Sequence, residues 1–448
     1  GWRPEMTGRR LTRWSAHAPA ILEAAAPAEA RAFLRSLGRQ TRYLQRQWRR
    51  APAGLARFQA AAGLVHAGLL FPKGAALGVG VVALGREAER RIGADGGVAS
   101  RNPEQLAEIF AALVWAAKRI EDTGAPPAPA HAAALTRLAA AIRALRLGDG
   151  ALARSHGGGG GDREAMDRAL TASGLKHGAP VHETMGYHRI ASSRTIAIFD
   201  AGEESATRRE AAPDPRHASI FSFEASIKGR PLVVNCGPGA PFGEAWRLAS
   251  EAAAAHSGLS LDSGAPGGDE SAPAAPGHVS ALREADETGV WLIAEHDGWL
   301  HSHGLVHQRR IWLSADGGDM RGEDRLNASG PAAHAAFDLA AGRNGGTAVP
   351  FTIRFHLHPD VEAEMFLAGS AVRIRPGTGD VWVMRQSGGH IAIEESVYLD
   401  EGRGKPRATK QIVVRGRAAE YRGEVRWTFR LAEQDKPGAA GDAARADA

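Results

Sequence analysis

Histidine dominates the side chains that could carry chemistry. The chain has 18 histidines in 448 residues, most of them after residue 180. His182 and His188 lie either side of Tyr187, His217 precedes a stretch of strand character, and His256 follows a helical one. His301, His303 and His307 cluster, as do His356 and His358. Alternate residues of a strand share a face, so His356 and His358 would point the same way, which permits metal chelation or a shared site. The competing reading of any one histidine is a structural or solvated side chain. Cys236 is the only cysteine, which excludes an intrachain disulfide and a cysteine-based zinc knuckle. No zincin, Gly-x-Ser-x-Gly, Rossmann or Walker pattern is present.

Two kinds of structure must hold these residues, and the length alone suggests two domains. Residues 15–50, 53–71, 75–92, 103–121 and 130–147 carry apolar residues at helical spacing. Asn102-Pro103 suits a helix start, because Asn caps free amides and Pro fits the first turn. Gly157 to Gly161 read as a linker, since no Gly-Lys-Ser/Thr follows to make a phosphate loop. After about residue 180 the period becomes alternating. Strands are expected at Thr195–Asp200, Ile220–Ile227, Pro231–Asn235, Val290–Glu295, Val306–Ala315, Met320–Leu326 and Phe351–His358. Ala371–Arg375, Asp380–Arg385, Ile391–Leu399, Gln411–Val414 and Val425–Leu431 continue the series. Many strands with no intervening helices predict a large antiparallel β-sandwich. Residues 263–277 predict a mobile loop. The expected division is a helical domain over 1–180, a β domain over 181–433 and a disordered tail over 434–448.

The net charge of +5 conceals an asymmetry. Residues 1–180 hold 26 basic and 14 acidic groups, a balance of +12, and the remainder balances at −7. A basic half invites an anionic partner; the bland alternative is an arginine surplus from a GC-rich genome. No apolar run approaches the ~18 residues of a membrane span. The chain starts at Gly1 without a signal peptide, which reads as a truncated or processed start.

Four segments carry a family resemblance: Gly186-Tyr187-His188-Arg189-Ile190, Arg216-His217-Ala218-Ser219-Ile220-Phe221-Ser222-Phe223-Glu224, Leu232-Val233-Val234-Asn235-Cys236-Gly237 and Ala255-His256-Ser257-Gly258-Leu259. In this order they resemble the heparinase II/III-like polysaccharide lyases. Gly63-Leu64-Val65-His66-Ala67-Gly68-Leu69 and the run from Asp95 to Pro103 resemble helices of that family's (α/α) toroid. The resemblance spans most of residues 1–431. It implies an N-terminal (α/α) toroid, incomplete here, followed by a large antiparallel β-sandwich. It also implies β-elimination on uronic-acid polysaccharides, a zinc ion in the β domain, and a cell-envelope or periplasmic setting. Abstracting a proton alpha to a carboxylate needs a neutralising Asn, His or Arg and a Tyr or His as acid and base.

The sequence departs from the family where that chemistry would sit. The family's Asn-His positions fall on Leu55 and Ala56, its Tyr-His positions on Glu104 and Gln105, and its metal-site Asp on Asn235. The His-x-His-x-Asp turn reads Pro215-Arg216-His217-Ala218-Ser219 and keeps only the second His. The resemblance therefore leaves Tyr187 and His256 as candidate catalytic residues, and His217, Asn235 and His256 as candidate metal ligands. Arg189, Arg309 and Arg354 could clamp sugar carboxylates bidentately. The leading expectation is a lyase-like protein that cleaves or binds an acidic polysaccharide between the two halves. The alternative is a catalytically degenerate glycan-binding or envelope-scaffold protein of the same fold. Nucleic-acid binding by the basic half has no motif behind it.

Overall fold

The computed structural model of this chain describes residues 2–176, 178–202, 217–262, 270–271, 277–400, 402 and 404–432. The helices come first: α1 Pro4–Ala24, α2 Pro27–Gln47, α3 Leu55–Leu70, α4 Ala76–Arg91, α5 Pro103–Glu121, α6 Pro129–Ala144 and α7 Arg163–Ser173. The single helix expected over 15–50 is two, starting at Pro4. Pro27 opens the second, where its missing amide costs nothing, and Glu29 reaches back to the Ala26 amide at 3.0 Å. The Asn102 side chain caps α5 by accepting from the Gln105 amide at 3.0 Å, as the sequence suggested. α1 and α3 cross where Gly8 faces Gly63. A Cβ on Gly63 would lie 2.5 Å from the Gly8 Cα, so only glycine permits this approach. Pale, close-packed interfaces of this kind bury Leu11, Phe58, Leu64, Leu106, Phe110 and Leu138 in one helical core.

The strands follow: β1 Glu183–Thr184, β2 Tyr187–Ala191, β3 Thr195–Asp200, β4 Phe223–Ile227, β5 Arg230–Val234, β6 Leu259–Asp262, β7 Glu270–Ser271, β8 Val279–Ala285 and β9 Gly289–Trp299. They continue as β10 Leu305–Ser314, β11 Asp319–Asn327, β12 Ala348–Leu357, β13 Glu362–Phe366, β14 Ala371–Arg375, β15 Trp382–Ser387, β16 His390–Tyr398, β17 Arg407–Ala419 and β18 Arg422–Leu431. Every pairing is antiparallel. One run goes β8-β9-β10-β11-β18-β15-β14-β13, another β1-β2-β3-β4-β5-β12-β17-β16, and the β17–β18 turn links them at Ala419 and Arg422. The result is one large curled sheet. Its core joins both runs: the Phe223 ring of β4 stacks on Trp427 of β18 at 5.7 Å, and Phe355 of β12 meets the same indole edge-on.

Two expectations change. Helices do interrupt the strands: α8 Glu244–Glu251, α9 Leu300–His303 and α10 Pro331–Arg343, the last begun by Gly330-Pro331. The Gly157–Gly161 run is no linker but a packed loop. A Cβ on Gly158 would sit 2.4 Å from the Asn102 Oδ1, and the Gly159 amide donates to Glu104 at 2.8 Å. Most of the expected mobile loop and the whole expected tail lie outside the described residues.

Candidate functional site

Asp200 ends β3, where the sheet meets the helical half, and is buried. It gathers three donors. Arg101 forms an ion pair with it, the His156 Nε2–H donates at 3.1 Å, and the Ser219 hydroxyl donates at 2.8 Å. Burial alone would raise the Asp200 pKa. Arg101, His156 and Ser219 more than offset this and hold the carboxyl far below the usual range, so Asp200 is an anion. That in turn fixes the proton on His156 Nε2.

The sequence builds this site from distant pieces. Arg101 precedes α5 and also donates to the Met185 carbonyl at 2.7 Å and the Gly202 carbonyl at 3.1 Å. His156 leads the glycine loop, and its carbonyl accepts from Asn102 at 3.0 Å. Arg101, His156, Met185 and Phe221 all adopt left-handed φ, between 51° and 59°. For non-glycine residues that is strained backbone, and strain gathers where surrounding contacts overdetermine a site. Three of the four touch Asp200 directly, Arg101 and His156 through their side chains and Phe221 through its amide, which donates to the Asp200 carbonyl at 2.7 Å.

Three imidazoles form a row beside this cluster. The His156 and His217 rings are 5.9 Å apart, and His217 and His256 are again 5.9 Å apart. The His256 Nδ1–H donates to the Ala252 carbonyl at 2.9 Å, and burial lowers the His256 pKa, so its Nε2 carries a lone pair. A row of imidazoles next to a fixed carboxylate can accept, donate and pass protons.

Of the residues expected from sequence, His217 and His256 do come together. Tyr187 lies at the same junction but is buried. Its hydroxyl donates to the Arg101 carbonyl at 2.8 Å, with the Arg101 guanidinium over its ring at 5.1 Å. Asn235 stands nearby with both ends of its amide engaged: Oδ1 accepts from the Ser257 amide at 2.9 Å and Nδ2 donates to the Arg154 carbonyl at 3.2 Å. The three clamp arginines do not converge. Arg309 is a correction: it is fully buried, donating to Asp324 at 2.6 Å and the Phe221 carbonyl at 2.6 Å, and cannot meet a substrate. Arg189 ties β2 to the carbonyls of Ala144 and Arg146 at the end of α6. Arg354 donates to Ser260 at 3.1 Å. Arg101, His156 and Asp200 were missed. Asp200 closes a correctly bounded strand, but nothing in a sequence of this kind marks which strand end faces the other domain.

Two cavities flank the site. One of about 370 Å³ lies among the helices, and Leu55, Ala56, Gln105 and Glu108 help line it. Burial raises the Glu108 carboxyl, and Gln59 donates to it at 3.0 Å. The other, about 490 Å³, lies between the glycine loop and the sheet, beside Arg154, Glu224, His358 and Tyr398. Burial pushes Glu224 up to about 7, although Arg154 lies close and two backbone amides donate to it.

The family model described as "Heparinase II/III-like, C-terminal" matches residues 176–428. The chain belongs to the heparinase II/III-like family. Among curated proteins it is similar to FtsZ-localized protein C of Caulobacter vibrioides (strain NA1000 / CB15N), with 31% identity over 458 residues, covering 96% of this chain and 75% of that protein. Among solved structures it resembles heparinase III at a TM-score of 0.70 and 14% identity, over 95% of this chain and 69% of that one. It also resembles a heparan sulfate lyase from Pedobacter heparinus at a TM-score of 0.66 and 16% identity, over 97% of this chain and 69% of that one. The structural likeness gives the heparinase fold: helices followed by a large antiparallel curled sheet.

A heparinase II/III-like zinc site would draw on His217, Asn235 and His256. Asn235 offers a neutral amide whose oxygen already accepts a backbone N–H, in place of a carboxylate. Among the described residues no three His, Cys, Asp or Glu side chains are grouped to hold a metal ion. Among the described residues this set does not fit zinc, and no chemistry below is routed through it.

Proposed function

We propose that this chain is a heparinase-fold protein that has given up β-elimination and works by binding, as a scaffold of the cell envelope. In this reading the helical half is part of an (α/α) toroid, and the two strand runs are the layers of a β-sandwich. An acidic glycan is held, uncut, where the halves meet. The observation that carries the reading is the lining of the helical cavity. Leu55, Ala56 and Gln105 stand where the family pattern calls for Asn-His and for His. Leucine and alanine can neither neutralise an enolate-like charge nor move a proton. Of the two acid/base candidates, Tyr187 has its hydroxyl committed to a backbone carbonyl, and His256 is buried with its Nδ1–H given to the Ala252 carbonyl. The curated relative's name, which describes its placement with FtsZ and no reaction, supports a scaffold. Incubation with heparan sulfate, alginate and other uronic-acid glycans, followed by ultraviolet absorbance, tests it: binding without unsaturated product is expected.

A second reading, an active lyase, rests on the intact Asp200–His156–His217–His256 row and the strained backbone around it. It requires turnover that a Tyr187→Phe variant loses.

A further inference from the structure

Helix α2 and the turn that continues it, Trp48–Arg50, carry an arginine array that the glycan reading does not use. Arg31, Arg35, Arg39, Arg42, Arg46 and Arg49 are all exposed. At 3.6 residues per turn they fall within an arc of about 80°, and Arg31 to Arg46 spans roughly 22 Å of axis. None forms an ion pair among the described residues. The one acidic residue of α2, Glu29, is turned back to cap the Ala26 amide. Like charges one turn apart repel, so the array works against its own helix and gains only when an anion covers it.

The surroundings favour one kind of anion. The apolar side of α2, with Leu37 and Leu44, is buried in the helical core, and Leu34 is the one large aliphatic side chain of the helix left exposed, too little to sink into a bilayer. Trp48 is buried and Trp2, the exposed ring beside the stripe, is met edge-on by Tyr43 at 5.2 Å, so α2 offers one isolated ring and no series of platforms on which successive nucleic-acid bases could stack. What remains is a single file of guanidiniums, about one per helical turn. That spacing matches carboxylates repeated every turn along a facing helix, each pair able to make a forked contact.

We infer that the α2 stripe docks an acidic, helix-forming segment of a partner protein. The inference goes beyond the silent cleft and does not depend on it. Elimination products would end that reading and leave this one intact, whereas loss of stripe binding would do the reverse.

The test is fluorescence anisotropy of the full chain with a labelled Glu-Ala-Ala-Ala repeat peptide, against a Lys-Ala-Ala-Ala control. The Glu peptide is expected to bind, more weakly as salt rises. R39E/R42E is expected to weaken it about tenfold, while R86E/R90E on α4, with the same change in charge, stays within about twofold. Should R39E/R42E melt early, R35Q/R46Q replaces it. Equal losses in the α2 and α4 variants, no binding of the Glu peptide, or stripe-dependent binding seen only with phosphatidylglycerol vesicles, heparin or duplex DNA would each overturn the inference.

Discussion

Arg101 and Asp200, 99 residues apart in sequence, form a buried ion pair that joins the helical half to the end of β3. Both side chains are under 10% exposed, at 8% and 2%. Removing one partner leaves the other charge buried and alone, which typically costs about 3–5 kcal/mol. Arg101→Met should therefore lower the urea midpoint sharply. Arg101→Met combined with Asp200→Leu should recover part of the loss.

Acid should unfold the sheet half through a second buried network. Asp324 accepts from His307 Nε2 at 2.8 Å, Arg309 at 2.6 Å and Trp427 at 2.9 Å, and His307 Nδ1 accepts from His296 Nε2 at 3.2 Å. Burial lowers both histidine pKa values, while Arg309 and His307 outweigh burial at Asp324 and lower its own. A group with a lowered folded pKa gives stability above its unfolded value and loses it as pH falls. Loss should start below about pH 6.5 from the histidines and deepen below about pH 4 from Asp324. Denaturant melts of the wild type and of His296→Leu across pH 7 to 4 check this, with a shallower upper limb expected in the variant.

Gly158→Ala should loosen the loop that carries His156. The added methyl meets the Asn102 Oδ1 at 2.4 Å, inside contact distance. Overpacking of this order costs about 1–3 kcal/mol. Amide exchange should speed up at residues 155–160 and at the start of α5, whereas a linker would tolerate the change.

Chelation should have no effect on stability. Asn235 spends its amide on Ser257 and Arg154 instead of a metal. Thermal melts with and without a chelator, and with added zinc, should superimpose. A rise in melting temperature with zinc would place a ligand set around His217 and His256.

Most elements were legible because they obey one period. The apolar spacing of α3 to α5 and the alternation in β3, β10 and β14 gave their bounds to within one or two residues. The interrupting helix α10 was not legible, because its alanine-rich sequence has no strong face. The site was legible only in part. His217 and His256 lie in segments with family-like neighbours, but Arg101, His156 and Asp200 come from a helix start, a glycine loop and a strand end. Only the meeting of the two halves brings them together. Arg309 misled because an arginine that neutralises a buried carboxylate looks, in sequence, like one that awaits a substrate.

The most direct measurement is unsaturated-uronate absorbance after incubating the chain with uronic-acid glycans, alongside a binding assay on the same glycans. Binding with no gain in absorbance is expected, in wild type and in Tyr187→Phe alike. Sustained product formation that Tyr187→Phe abolishes would contradict the silent cleft.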